Sequence, residues 1–555
     1  MEKMSELEKL SSLSPFELKD FLIQTASHNG GEMLLNAGRG NPNFLATIPR
    51  HAYHQFGLFA MSEAERSFSY MPEGVGGFPH KDGIEARFDI FTNEYRNVPG
   101  VQFIRQAVSY VRDQLGIKAA DFIYEMSEAL LGCMYPVPDR MLPISEKIAA
   151  EFIHKEMVNG YPAFRGKFDL FAVEGGTAAI TYLFTTLKEN FLLNKGDSIA
   201  IGLPIFTPYI EIPELEQYGL VEVNIKADRE SNWQYSRQEL DKLLDPKIKA
   251  FFLVNPSNPA SVKISDESLQ YIAEIVKQRP DLIILTDDVY GTFADNFTSL
   301  FGICPRNTIL VYSYSKYFGA TGWRLGLIAT HEDNVLDEMI AKLPEEKLRA
   351  LDARYTSITT APRNLKFIDR TVADSRTVAL NHTAGLATPA QAQMVMFSLF
   401  SLMDEEGSYK KAMKRLIRRR KAALYRDVPV KPASDKNDVD YYHVLDMEVL
   451  GKQMFEADFI KWLLDSLKPN EFLFALAERA NVVLLPNAGF GDSHPSARVS
   501  LANLNEVQYA KIGCALYELM LDYHEAWKGG GKKALTGSKA IPLGSCEQSK
   551  PRKKK

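Results

Sequence analysis

A lysine placed directly after a buried strand is the feature that most limits what this chain can become. Residues 308–312 form a near-continuous apolar run, as strands do when helices cover both faces of a parallel sheet, and Ser313-Tyr314-Ser315-Lys316 follows without a break. An ammonium there is costly unless its charge is paired or its proton is given up, and the second route makes the amine a nucleophile. The continuation, Tyr317-Phe318-Gly319-Ala320-Thr321-Gly322-Trp323-Arg324-Leu325-Gly326, is rich in small residues that let a flat ring and an anion approach the backbone. Arg324, eight residues past the lysine, adds a guanidinium fork suited to phosphate.

Similar apolar runs recur at 198–202, 250–254, 282–285 and 325–329, most of them followed at once by polar or Gly/Pro residues. Strands alternating with helical stretches predict an α/β fold: a large domain with a mainly parallel, seven-stranded type of sheet covered by helices on both faces. After about residue 390 the pattern turns helical, with one more strand pair near 482–485 and 497–501, which predicts a smaller α+β domain. The expected division is an N-terminal arm contributing to the small domain (1–50), an inserted helical and loop segment (51–135), the large domain (136–390), the small domain (391–530) and a basic tail (531–555). The arm opens with Ser14-Pro15-Phe16-Glu17, a capping pattern for a first helix.

Composition narrows the function classes. With 555 residues, 45% of them hydrophobic, and 65 Lys+Arg against 70 Asp+Glu, the chain can bury a large core and does not have the make-up of a disordered protein. No apolar stretch reaches a membrane span, and the charged first twenty residues lack a signal-peptide core, so the expected setting is the cytoplasm, with no membrane partner. Four cysteines without a CxxC pair argue against a disulfide scaffold and a cysteine zinc site, and His51 and His54 read as two residues of a helix face. No metal is expected. The tail 528–555 holds nine Lys/Arg against Glu547 and reads as a disordered, solubilising end. The run 410–421 reads as one solvated helix face, with Met413, Leu416 and Ile417 at helical spacing, so no nucleic-acid partner is expected.

The segment around Lys316 resembles the pyridoxal-phosphate lysine signature of the aspartate aminotransferase superfamily, S-x-S-K-x-x-G-x-x-G-x-R-x-G. Other motifs similar to that superfamily's follow its order. The resemblance implies pyridoxal phosphate as cofactor, held covalently by Lys316, with Ser313, Ser315 and Arg324 at its phosphate. Gly175-Gly176-Thr177, between a strand and an apolar helix, puts free amides and a hydroxyl against the same phosphate. Phe206 stands where the family stacks an aromatic on the pyridine ring. Asn255-Pro256-Ser257-Asn258-Pro259 resembles N-P-x-N-P, whose second Asn, here Asn258, bonds the ring oxygen; Ala260-Ser261 replaces the family's usual continuation. Thr286-Asp287-Asp288-Val289-Tyr290 resembles D-E-[VI]-Y, with Asp287 on the pyridine nitrogen and Tyr290 on the ring oxygen. Arg498 matches the arginine that clamps the α-carboxylate, with Asn258 beside the substrate. Tyr135 looks like the tyrosine that reaches the phosphate of a neighbouring subunit, which implies a homodimer as the minimum unit and a higher homo-oligomer beyond it.

Two features narrow the resemblance. About 80 extra residues stand between Gly40 and Tyr135, and the glycine loop Gly38-Arg39-Gly40 carries an extra cation. With Tyr70 to Gly83, the run from Tyr135 to Lys147 and His382-Thr383-Ala384-Gly385-Leu386, these features are similar to the bacterial L-aspartate 4-decarboxylases. That implies β-decarboxylation of L-aspartate to alanine and CO2, with aminotransferase side activity on α-keto acids. Arg39 is the candidate contact for the distal carboxylate and Lys19 the second. The alternatives are a plain aminotransferase and a non-catalytic regulator that binds pyridoxal phosphate.

Overall fold

The computed structural model describes residues 15–27, 33–161, 164–376, 384–467, 470–491 and 494–530. Ser14, His382, Thr383 and the tail from 531 lie outside the described residues.

Strands are numbered in chain order from β1 (Leu35–Asn36). The main sheet takes β2 (Phe168–Val173), β3 (Ser198–Leu203), β4 (Val221–Asp228), β5 (Gln234–Tyr235), β6 (Ile248–Val254), β7 (Ile283–Asp287), β8 (Thr308–Ser313) and β9 (Gly326–His331). Their order is β2-β9-β8-β7-β6-β3-β4-β5. Alternation along the central strands explains why they read as unbroken apolar runs. Ala250, Phe252 and Val254 of β6 enter one hydrophobic cluster, and Phe251 and Leu253 enter another on the opposite face. Helix Gly176–Glu189 covers the first face and helix Asp266–Gln278 the second.

The sheet has eight strands and is mixed. The pairs β3–β4, β3–β6, β6–β7 and β7–β8 are parallel, whereas β9 is antiparallel to β8 and β2, and β5 to β4. The reversal at β9 follows from chain length. Residues 314–325 hold turns and one short 3-10 helix, too little for the helical crossover that a parallel return needs. Strand β4 escaped the sequence reading because only Ile225 of its eight residues is buried.

A second group is built from both ends of the chain. β10 (Tyr442–Asp446), β13 (Ser496–Ser500) and β12 (Leu485–Pro486) form an antiparallel sheet, and β1 pairs in parallel with β11 (Val482–Val483). The expected run at 482–485 is therefore divided between two sheets: β12 pairs with β13, whereas β11 pairs with the arm. Helix Pro15–Ser27 packs on helix Glu471–Ala480 through Phe21 and Phe474.

Between the arm and β2 stand helices Ile48–Ser67, Ile84–Glu94, Val101–Asp113 and Ala119–Leu131. Phe56, Phe59, Phe88 and Phe122 interlock at their centre, with Phe59–Phe88 centroids 5.1 Å apart. The buried Glu63 carboxylate accepts two 2.7 Å hydrogen bonds from Arg87.

Helix Ser408–Leu424 corrects the reading of its basic run. Three of its cations are buried. Lys414 pairs with Asp295, Lys421 with Asp440 at 2.7 Å, and Arg420 donates to Leu501 O and Asn43 Oδ1. The acceptors come from distant segments, which helical spacing does not report.

The same helix crosses helix Glu506–Lys528 at Gly513, where a Cβ would fall on the Leu424 carbonyl oxygen. Gly→Ala inside a helix otherwise stabilises by about 1 kcal/mol. Gly513→Ala should instead lower stability by roughly 1–3 kcal/mol through overpacking, read as a lower melting temperature.

Candidate active site

The carboxyl ends of the parallel strands deliver one side of a cavity of about 320 Å³. Asp287 ends β7, Ser313 ends β8, Asn258 follows β6, Phe206 and Tyr209 follow β3, and Gly176 and Thr177 open the helix after β2. The other side comes from Arg498 on β13, Tyr442 on β10, Gly38 to Asn41 in the arm and Lys19 on helix Pro15–Ser27. Thus Gly176, Thr177, Phe206, Asn258, Asp287, Tyr290, Ser313, Ser315, Lys316, Arg324, Arg498, Arg39 and Lys19 are brought together. Gly175 lies just beneath, with φ +93° and the Arg324 guanidinium carbon 2.9 Å from where a Cβ would stand. Tyr135 is not brought in: it is exposed, in the segment between helices Ala119–Leu131 and Pro143–Ile153.

Cations crowd this lining. Lys19, Arg39, Lys316, Arg324 and Arg498 face a single carboxylate, Asp287. Lys316 Nζ donates to Gly40 O at 3.1 Å, and the Tyr441 hydroxyl donates to the same oxygen at 2.9 Å. Arg324, itself left-handed at φ +55°, donates to Thr321 O and Glu174 O. Arg498 donates to Asn258 Oδ1 at 3.0 Å and Gly38 O at 2.7 Å, and its buried Nε has no hydrogen-bond partner. Lys19 pairs with Asp20 at 3.1 Å.

The lysine loop is clamped from outside the cavity. Arg50, on helix Ile48–Ser67, donates to Phe318 O at 3.0 Å and Gly319 O at 2.7 Å, and the Tyr409 hydroxyl donates to Tyr317 O.

Asp287 is fully enclosed. Burial pushes its carboxyl up to about 6, against the hydrogen bonds from Tyr209 Oη (2.8 Å) and the Val289 amide (3.1 Å) and the positive charge of Lys316. Tyr290 and Tyr442 hydroxyls meet at 2.9 Å. Tyr209, Tyr441 and Tyr442 had no role in the sequence reading. Tyr209 lies three residues past Phe206, and the tyrosine pair opens an unread strand, so position after a strand was the available signal for the first alone.

This arrangement suits an anionic, flat ligand. An oxyanion group fits the corner formed by the helix N-terminus at Gly176, Thr177, Ser313, Ser315 and Arg324. A protonated ring nitrogen fits Asp287, a ring face fits Phe206, and a carboxylate fits the unpartnered Nε edge of Arg498. Away from the cavity, Asp446, Glu448 and His494 stand close together, but Arg229 is paired to both carboxylates, and the group is an ion-pair cluster. His51 and His54 lie on helix Ile48–Ser67.

Comparison with known proteins agrees with this geometry. The family model "Aminotransferase class I and II" matches residues 144–513. A Pseudomonas protein named bifunctional aspartate aminotransferase and L-aspartate beta-decarboxylase is 56% identical over 525 residues, covering 94% of this chain and 99% of that one. An aspartate aminotransferase of Musicola paradisiaca is 32% identical over 164 residues, 28% of this chain and 39% of its own. Among solved structures, a Thermus thermophilus aspartate aminotransferase mutant superposes with a TM-score of 0.57 at 16% identity, covering 94% of this chain and all of that one, a likeness of fold alone.

The enclosure of Asp287 makes a signed prediction for the ligand-free protein. The folded state keeps a proton between 3.8 and about 6 that the unfolded chain has released, so this group's contribution to stability falls as pH rises through that window. Asp287→Asn removes the buried charge. It should raise stability above about pH 6 by roughly 2–3 kcal/mol, with the gain vanishing below 3.8, in denaturant melts across pH.

Proposed function

The chain belongs to the class I and II aminotransferase family, and on that footing we propose that it has two activities: β-decarboxylation of L-aspartate to L-alanine and CO2, and aspartate transamination as the side reaction. Its cofactor is pyridoxal phosphate. The observation that carries the reading is the reach of the segment ahead of residue 144. The family model leaves that segment unmatched, the Pseudomonas relative matches the chain nearly end to end, and the segment brings Lys19 and Arg39 to the cavity of Lys316 and Arg498. A substrate with a carboxylate at each end calls for cations at both.

Bound pyridoxal phosphate supplies an electron sink for negative charge developing on substrate carbon. Lys316 would hold it and would act as the base that takes the Cα proton. Asp287, fixed by Tyr209 and the Val289 amide, keeps a proton on the ring nitrogen. Asn258 and Tyr290 serve the ring oxygen, and the Gly176–Thr177 helix end, Ser313, Ser315 and Arg324 hold the phosphate. Arg498 fixes the α-carboxylate. Arg39, with Lys19 behind it, orients the distal carboxylate without gripping it so tightly that its charge resists departure.

We also assign a homodimer as the minimum unit, extended to a larger homo-oligomer. Of twenty large apolar side chains standing exposed among the described residues, fourteen fall within 45–137, Tyr135 among them. That concentration supports burial of the inserted segment against other copies. No described helix is long and apolar enough to cross a membrane. The substrates are small metabolites, and we place the reaction in the cytoplasm.

The deciding experiment supplies pyridoxal phosphate and L-aspartate without any keto acid. Many turnovers giving alanine and CO2 in equal amounts are expected. One half-turnover to oxaloacetate, resumed only with 2-oxoglutarate, would make the protein a plain aminotransferase. Arg39→Ala should raise KM for L-aspartate about tenfold, the loss of one charge-assisted contact of roughly 1.5 kcal/mol.

A further inference from the structure

Tyr442 lines the cavity and has no part in the chemistry above. It opens β10, and its side chain is buried. Groups from several parts of the chain surround its phenol. Tyr290 Oη is at 2.9 Å, the Arg498 guanidinium carbon lies 4.2 Å from its ring centroid, and the Tyr441 ring is adjacent. From the arm, the place of a Cβ at Gly40 lies 2.5 Å from Tyr442 Oη and 3.3 Å from Lys316 Nζ, so phenol and amine border the same point.

These neighbours include two cations, two phenols and no carboxylate. Burial by itself pushes the Tyr442 phenol up, but the charges of Lys316 and Arg498 and the hydrogen bond with Tyr290 outweigh it, and the net displacement is downward. Burial pushes Tyr290 and Tyr441 well up. Either hydroxyl of the Tyr290–Tyr442 pair can donate, and the Tyr442 oxygen borders the cavity beside Lys316.

We propose that Tyr442 is the catalytic acid of the decarboxylation, delivering its proton to the carbon from which CO2 departs. The proposal rests on the decarboxylase reading. The bond to the departing carboxylate breaks and its electron pair stays with the substrate. That pair forms the new C–H bond as the phenol O–H breaks, and the phenolate is left between Lys316 and Arg498. Solvent returns the proton. One proton is consumed per CO2, as conversion of aspartate to alanine requires, and nothing is oxidised or reduced. Transamination needs no proton at that carbon, so the two activities should separate on this residue.

Three measurements test the proposal. In cofactor-free protein, tyrosinate difference absorbance should reveal a phenol that ionises below the ordinary 10.0. Tyr442→Phe should lack it, and Tyr441→Phe should keep it. In holoenzyme given L-aspartate, Tyr442→Phe should cut the ratio of alanine to oxaloacetate by a factor on the order of a hundred while the half-transamination proceeds. In the unaltered enzyme that ratio should fall as pH rises through the ionisation of this phenol, which needs no variant to fold. Persistence of the early phenol in Tyr442→Phe, an unchanged product ratio, or a ratio indifferent to pH would each overturn the proposal. Wild-type protein that releases no CO2 would sink the decarboxylase reading instead.

Discussion

Main-chain carbonyls, rather than carboxylates, hold Lys316, Arg324 and Arg498 in this cavity, and much else in the structure follows from that choice. Gly40 O takes Lys316, Gly38 O takes Arg498, and Thr321 O and Glu174 O take Arg324. A carbonyl dipole satisfies a donor without cancelling its charge. The cavity therefore stays electropositive while its side chains remain fixed, which is what a dianionic substrate and a phosphate require. Carboxylate partners would have given the same rigidity and a neutral site.

The cost falls on the backbone, which must bring carbonyls from remote segments to within hydrogen-bond reach. Glycines meet that demand where room is shortest: a Cβ on Gly40 would press against the Tyr442 hydroxyl, and one on Gly175 against the Arg324 guanidinium. Helix Ile48–Ser67 takes part through Arg50, whose guanidinium holds the carbonyls of Phe318 and Gly319 just past Lys316. That helix thus supports the lysine loop directly.

The sequence disclosed what depends on local pattern. Strands β6, β7 and β8 were legible because helices bury both of their faces, and the lysine segment because its constraints fall within fourteen consecutive residues. Partners brought in by tertiary packing were illegible. Lys414 and Lys421 read as surface charge because Asp295 and Asp440 lie outside their helix. Tyr442 was missed because its strand carries a histidine at its second position and an aspartate at its last, which break the apolar run by which the other strands were legible. The sense of β9 was missed because an apolar run has no direction.

The arm and the far end of the chain meet at β1–β11, and the Arg498–Gly38 hydrogen bond spans 460 residues of sequence. During synthesis Lys316 and the phosphate corner emerge from the ribosome long before Arg498 does. A nascent chain can therefore complete much of its central sheet while still lacking one wall of the cavity. Any stop codon ahead of β13 removes Arg498 and with it the hydrogen bond that ties the arm to the far end of the chain.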